Sequence, residues 1–170
     1  MRKQHQSPWF YQTFSTETCD VTLVGSELGL HILHLETGEG KKSTFQVEED
    51  WIEDHSKFTD VKQQLVEYFS GKRTQFDFKT PLAPQGTEFQ QSVWHELSKI
   101  KTGSTCRYMD IANQINKPKA VRAVGAAIGR NPIPVIIPCH RVVGANGSLT
   151  GFAFGLPMKK TLLKLEGVEF

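Results

Sequence analysis

Tyr108-Met109-Asp110-Ile111-Ala112-Asn113-Gln114-Ile115-Asn116-Lys117-Pro118-Lys119-Ala120-Val121-Arg122-Ala123-Val124-Gly125-Ala126-Ala127-Ile128 spells two short helices about a tight turn. Proline cannot continue a helix, and it biases the residue before it toward extended backbone. The break therefore falls at Asn116-Lys117-Pro118, leaving predicted helices over Tyr108 to Ile115 and Lys119 to Ile128. That is helix-turn-helix spacing. The second helix is rich in small residues (Ala120, Ala123, Gly125, Ala126, Ala127), which let a helix lie close to a partner or pack closely inside its own domain. Upstream, Thr87-Glu88-Phe89-Gln90 has capping-box form. Phe89, Val93, Leu97 and Ile100 then share one helical face until Lys101-Thr102-Gly103 stops it. Downstream, Val135 to Ile137 reads as a strand. Arg141 to Val143 and Ser148 to Thr150 read as a hairpin about Gly144-Ala145-Asn146-Gly147. Pro157 opens a last helix at its first position, and Gly167 closes it. Glu166, at that helix's C-terminus, opposes the dipole, which marks it as a residue placed for another reason.

Ile136-Ile137-Pro138-Cys139-His140-Arg141-Val142-Val143 carries the chemistry. A thiolate is the nucleophilic form of cysteine, and a nearby imidazole lowers a thiol pKa from about 8.5. Pro132, Pro134 and Pro138 stiffen the approach. Cys139 is thus a candidate nucleophile, and His140 its candidate partner; a small buried hydrophobe is the plainer reading of Cys139. Neighbours on a strand point to opposite faces, so direct bonding between the two needs a backbone turn or a linking group.

The N-terminal part reads differently. Trp9 to Thr16, Cys19 to Val24 and Leu30 to Leu35 are predicted strands, Phe58 to Ser70 an amphipathic helix ended by Gly71, and Thr74 to Phe78 another strand. Pro81-Leu82-Ala83-Pro84-Gln85-Gly86 is the predicted linker, giving domains 1–84 and 85–170. Residues 1–84 hold 9 Lys/Arg and 13 Asp/Glu, a net of −4; residues 85–170 hold 11 and 5, a net of +6. The basic half is the one expected to meet a polyanion. Three cysteines without a CxxC pair argue against a disulfide framework and for a reducing compartment. No apolar run approaches the ~20 residues of a membrane span, and Met1 to Gln6 is polar rather than a secretory leader. His31 and His34 are expected at the surface.

Together these segments resemble the O6-alkylguanine-DNA alkyltransferase family. The likeness runs from about Gly86 to Gly167. It rests on Gly86 to Trp94, Lys119 to Gly125, Asn131-Pro132 and Ile137 to Val143; the N-terminal half is similar only in general layout. The resemblance implies an α+β fold, an RNase H-like α/β domain followed by a winged helix-turn-helix domain. It implies direct-reversal DNA repair, with Cys139 taking the alkyl group of O6-alkylguanine, or of O4-alkylthymine, in a single turnover. His140 would take the thiol proton through a water, Glu166 would orient His140, Asn131 would fix the loop, and Tyr108 would donate to the departing purine. Backbone groups of Cys139, Val142 and Ala153 would face the base, with Phe152 and Lys159 completing the pocket. Arg122 would replace the flipped nucleotide in the duplex, with Lys119, Ala123, Gly125 and Arg141 at the DNA.

Phe152 stands where many members have tyrosine and Phe154 where glycine is common, so the pocket is expected to favour methyl over bulky groups. Some members hold a structural zinc; His31 falls near one such ligand position, but Ser26 occupies the cysteine position, so no metal is expected. No organic cofactor is implied. The expected partner is double-stranded DNA carrying O6-alkylguanine, met by a monomer in the cytoplasm, or the nucleus of a eukaryote. A cysteine hydrolase or acyltransferase with a Cys-His-Glu triad would share the constellation but turn over. A non-catalytic lesion binder would lack Cys139, and a plain transcriptional regulator of the same family would need a zinc-thiolate domain that residues 1–84, with one cysteine, do not supply.

Overall fold

The computed structural model describes residues 7–169; the polar start at Met1 to Gln6, including His5, lies outside them. Strands β1 (Phe10–Ser15), β2 (Asp20–Ser26) and β3 (Gly29–Glu36) form an antiparallel meander, and β4 (Ile52–Glu53) adds to β1 in parallel. The order is β3-β2-β1-β4. Helix α1 (Thr59–Phe69) buries Val61, Leu65, Tyr68 and Phe69, and Gly71 takes the positive φ of a helix stop. The predicted strand at 74–78 is absent. Within it Asp77 N–H donates to the Gln64 side chain of α1 instead, and just beyond it the N–H groups of Lys79 and Thr80 both donate to Asp60.

Helices α2 (Glu88–Leu97), α3 (Tyr108–Gln114) and α4 (Val121–Gly129) follow. The Thr87 hydroxyl accepts from Gln90 N–H at 3.2 Å, and the Gln90 side chain accepts from Thr87 N–H at 3.0 Å. Asn116, at φ 60°, makes the turn between α3 and α4. Gly86 lies against Trp94, where a Cβ would come within 2.4 Å of the indole. The indole N–H of Trp94 donates to the Ala127 carbonyl at 2.8 Å, locking α2 to α4. Residues 135–137 are a turn, not a strand: Val135 has φ 72°, and Ile137 N–H bonds back to the Ile133 carbonyl. The predicted hairpin is also replaced. Gly144 N–H reaches the Ser148 carbonyl at 2.9 Å, but the ladder stops there. Strand β6 (Val142–Val143) pairs in parallel with β5 (Cys106–Arg107). Helix α5 (Leu156–Leu165) closes the chain, with Pro157 in its first turn and Gly167 at φ 82° beyond it.

His31 and His34 are both buried, contrary to expectation. The pairing of β2 with β3 shifts at Val24/Gly25, leaving His31 without an opposite residue. This bulge resets the alternation of β3, so both histidines meet one strip of rings: His31 stacks on Trp9 at 4.5 Å and His34 on Phe45 at 4.3 Å. The outer edge of β3 is covered as well. Leu30 bonds to Pro81 and Ala83 of the linker, and Leu33 N–H donates to the Pro132 carbonyl at 2.9 Å. One continuous apolar cluster runs from the sheet through α1 to α2, α4 and α5.

Candidate active site

Cys139 opens a short 3-10 turn, Cys139–Arg141, directly after Pro138. The turn supplies the change of direction that a strand would have denied to Cys139 and His140. Asn131 anchors the approach: its side-chain N–H donates to the Ile137 carbonyl at 2.7 Å, and its oxygen accepts from Ile133 N–H at 3.0 Å. Cys139 N–H in turn donates to the Ile137 carbonyl at 2.8 Å.

His140 is wholly buried, and its Nε2 lies 2.7 Å from Glu166 Oε2. Glu166 accepts two further bonds, from Arg141 Nε at 2.7 Å and from the Tyr68 hydroxyl at 2.6 Å. Burial alone would raise the Glu166 carboxyl, but the bonds from His140, Arg141 and Tyr68 override it and hold its pKa at about 2. Burial pushes the His140 imidazole down, against the pull of Glu166. The pair is thus a neutral imidazole facing an ionised carboxylate. That assignment puts the proton on Nε2 and leaves the lone pair on Nδ1, which is buried and has no hydrogen-bond partner on the protein. Glu166 therefore fixes the tautomer in which His140 can accept a proton.

Burial also pushes the Cys139 thiol up; the Asn131 amide and the Lys42 and Lys159 ammonium groups pull it back. The expectation of a thiol acidified by adjacent histidine is corrected: a neutral His140 offers no positive charge. Cys139 faces a cavity of about 260 Å³ lined also by Tyr108, Gly125, Ile128, Asn131, Phe152, Ala153 and Phe154, with Gly40 and Lys41 from the N-terminal part. The Tyr108 hydroxyl lies 3.2 Å from that of Thr150. Arg122 and Ala123 are exposed in the first turn of α4, the helix whose Gly125 lines the cavity, and Lys119 is exposed in the turn just before it.

Three assignments change. Arg141, expected on the DNA face, is buried. A guanidinium without water needs acceptors, and it finds Glu166, the Ile100 carbonyl and the Thr102 hydroxyl. Val142 and Lys159, expected in the pocket, lie behind its wall. The Lys159 ammonium donates to the carbonyls of Val142 at 2.7 Å and Thr150 at 2.8 Å, and burial lowers its pKa to about 8. Sequence reasoning passed over Tyr68 and Lys42, because both come from the N-terminal part, far from the motif. The Tyr68 hydroxyl is raised by burial and then by the Glu166 charge, so it stays protonated and donates.

Among the described residues His31 does not fit a structural zinc. The Ser26 hydroxyl is 2.8 Å from His31 Nε2, and His31 Nδ1 is 2.7 Å from the Ala83 carbonyl, so both ring nitrogens are engaged. Among the described residues no three His, Cys, Asp or Glu side chains gather to hold a metal. Nor is any helix among them long and apolar enough to cross a membrane.

Family models match both parts of the chain. Residues 9–84 match the ribonuclease-like domain of 6-O-methylguanine DNA methyltransferase, and residues 88–168 match its DNA-binding domain. The chain is 48% identical over 158 residues to a methylated-DNA--protein-cysteine methyltransferase of Methanosarcina acetivorans, covering 93% of this chain and 98% of that one. An inducible protein of that name from Bacillus subtilis is 51% identical over 115 residues, 68% of this chain and 63% of the other. The crystal structure of Mycobacterium tuberculosis OGT in complex with DNA superposes with a TM-score of 0.81 at 40% identity, over 92% of each chain. The α+β architecture, the cysteine in its turn and these matches over nearly the whole length agree, and the chain belongs to the 6-O-methylguanine DNA methyltransferase family.

Proposed function

We propose that this protein repairs alkylated duplex DNA by direct reversal, moving the alkyl group of O6-alkylguanine onto Sγ of Cys139 once per molecule. The observation that carries the reading is the bonded chain from Glu166 to His140, ending in a bare Nδ1 on the residue that follows a cysteine facing a cavity. The Cys139 proton passes to His140 Nδ1, with a water as the relay. The sulfur lone pair then forms a bond to the alkyl carbon as the carbon–O6 bond breaks, and the purine leaves with that bond's electrons. In this reading Tyr108, which lines the cavity, gives a proton to the departing purine and takes one back from solvent. The imidazolium so formed is stabilised by ionised Glu166, the usual logic of base plus orienter. A thioether offers water no acyl carbon, so the protein is spent.

The damaged base must leave the stack to reach a buried cysteine inside this cavity. Exposed Lys119, in the turn before α4, and Arg122, in its first turn, are suited to phosphates and to the gap left behind. The same reading takes residues 1–84 and 85–170 as the two domains and a monomer as the working form. Incubation with duplex DNA carrying O6-methylguanine, read by intact mass, tests it. The expected result is a gain of one methylene on Cys139, saturating at one equivalent, and none in Cys139→Ser. Repeated turnover would instead mark a hydrolase.

A further inference from the structure

We propose that Lys42, carried into the active site by the N-terminal part of the chain, is a positioning residue for the reaction at Cys139: its ammonium fastens Asn131 and brings positive charge to the forming thiolate. The inference rests on the reading of Cys139 as the alkyl acceptor.

The charges around the sulfur leave a gap that the triad does not fill. Glu166 is matched by Arg141 at 2.7 Å, and His140 is neutral. That group therefore presents no net positive charge to Cys139. Tyr108, from α3, lines the cavity with its hydroxyl 3.2 Å from that of Thr150. Three lysines remain: Lys41, at the cavity wall, and the two that act on the thiol, Lys159 from α5 and Lys42 from the segment after β3. Lys159 already serves the carbonyls of Val142, Thr150 and Gly151.

Lys42 is delivered by a docked loop. The Thr37 hydroxyl donates to the Phe154 carbonyl at 2.8 Å, and Lys42 N–H donates to the Ala153 carbonyl at 3.1 Å. Between them Gly40 has φ +81° and lies so close that a Cβ would come within 2.2 Å of the Ala153 carbonyl oxygen. Held in this way, the Lys42 side chain crosses the Phe154 ring, with its nitrogen 5.6 Å from the centroid, and donates to the Asn131 carbonyl at 2.6 Å. Asn131 is the residue that holds Ile133 and Ile137, and Ile137 accepts from Cys139 N–H. An unbroken path of bonds thus joins the N-terminal loop to the backbone of the nucleophile. Burial lowers the Lys42 ammonium while Cys139 raises it, and Lys42 lowers Cys139 in return, the signs expected of two groups that stabilise each other's charge.

The test uses the full chain. Lys42→Met keeps the stem over Phe154 and removes the charge; Lys42→Arg keeps the charge; Thr37→Val loosens the loop without changing charge. Two quantities are read: the pH midpoint of Cys139 alkylation by iodoacetamide, localised by mass, and the single-turnover rate of methyl transfer. Lys42→Met is expected to raise the midpoint by about 1 pH unit, the low end for a neighbouring charge. It should slow transfer at neutral pH roughly 10-fold, as the thiolate fraction falls with that shift. Lys42→Arg should restore both, and Thr37→Val, which loosens the loop that delivers Lys42, should shift the midpoint in the same direction by less than Lys42→Met. A wild-type midpoint in folded Lys42→Met, or an equal shift in the charge-retaining Lys42→Arg, would overturn the role of charge at Lys42. If Lys42→Met is unfolded at the assay temperature, Lys42→Gln takes its place with the same expectation. Wild-type protein that leaves O6-methylguanine intact would overturn the alkyl-transfer reading instead, while the iodoacetamide midpoint would still report on the lysine.

Discussion

Phe154 is nearly absent from solvent, yet its ring forms part of the cavity wall. His34 packs behind it at 5.5 Å and Phe152 beside it at 5.8 Å. A wall backed in this way has little room to retreat, and a methyl group needs less space than a benzyl group. The wild type is therefore expected to transfer methyl faster than benzyl from O6-substituted guanine, and Phe154→Ala to narrow that ratio by about 10-fold, the scale on which apolar pockets discriminate. Truncating a buried phenylalanine costs ~3–5 kcal/mol, so the ratio within each variant is the quantity to compare. Equal methyl and benzyl rates in the wild type would remove the argument. At this scale the sequence was legible where a residue broke a local rule. Glu166 opposes its helix dipole and proves to be the acceptor of three bonds. Arg141 and Lys159 were not legible, because a cation buried by internal acceptors looks the same in a sequence as one in water. The bulge that buries His31 and His34 left no signal either, since the strand pattern assumes unbroken alternation.

The helices were readable because each carries its own punctuation. Thr87 and Gln90 cap α2, Asn116 turns α3 into α4, and Gly167 ends α5. The short strands depend on partners elsewhere in the chain. Residues 74–78 alternate like a strand but find acceptors and donors on α1, while β4 and the β5–β6 pair contribute only two residues per strand. Helix α4 joins legible pattern to function. Val124, Ala127 and Ile128 face the core, Gly125 faces the cavity, and Arg122 and Ala123 face outward. A helix placed this way can carry a side chain into DNA while its other face shapes the pocket. Arg122→Ala is accordingly expected to slow transfer from duplex DNA at least ~10-fold, the cost of losing a group that offsets unstacking of about a kcal/mol or more. Reaction with free O6-benzylguanine should be nearly unchanged. An equal fall with both substrates would show that Arg122 acts on the fold or the pocket rather than on the flipped nucleotide.

Glu166 also ties the molecule together, since Tyr68 belongs to α1 beneath the sheet while His140 and Arg141 belong to the active-site turn. Stability should therefore follow the protonation of this cluster. The Glu166 carboxyl is depressed from 4.5 to about 2, so its contribution is complete above the unfolded value and is lost as pH falls from about 4.5 toward 2. The imidazole of His140 is also depressed from 6.5, and its buried neutral form must gain a proton as the medium becomes acidic; its contribution is present above 6.5 and declines below it. In both windows the unfolded chain binds more protons, so both carry the same sign. The urea midpoint is expected to fall between pH 7 and 5.5, and again below pH 4.5. Glu166→Gln should be less stable at pH 7, because the Arg141 charge is left buried without its partner, and should lose the lower step. Because the carboxylate bridges both parts of the chain, fluorescence of Trp51 in the N-terminal part and of Trp94 in α2 should report one shared transition at each pH. A midpoint that stays flat from pH 7 to 3 would mean that the carboxylate is solvated in solution. Separate transitions for the two tryptophans would mean that the Tyr68 bond does not couple the sheet to the nucleophile's turn.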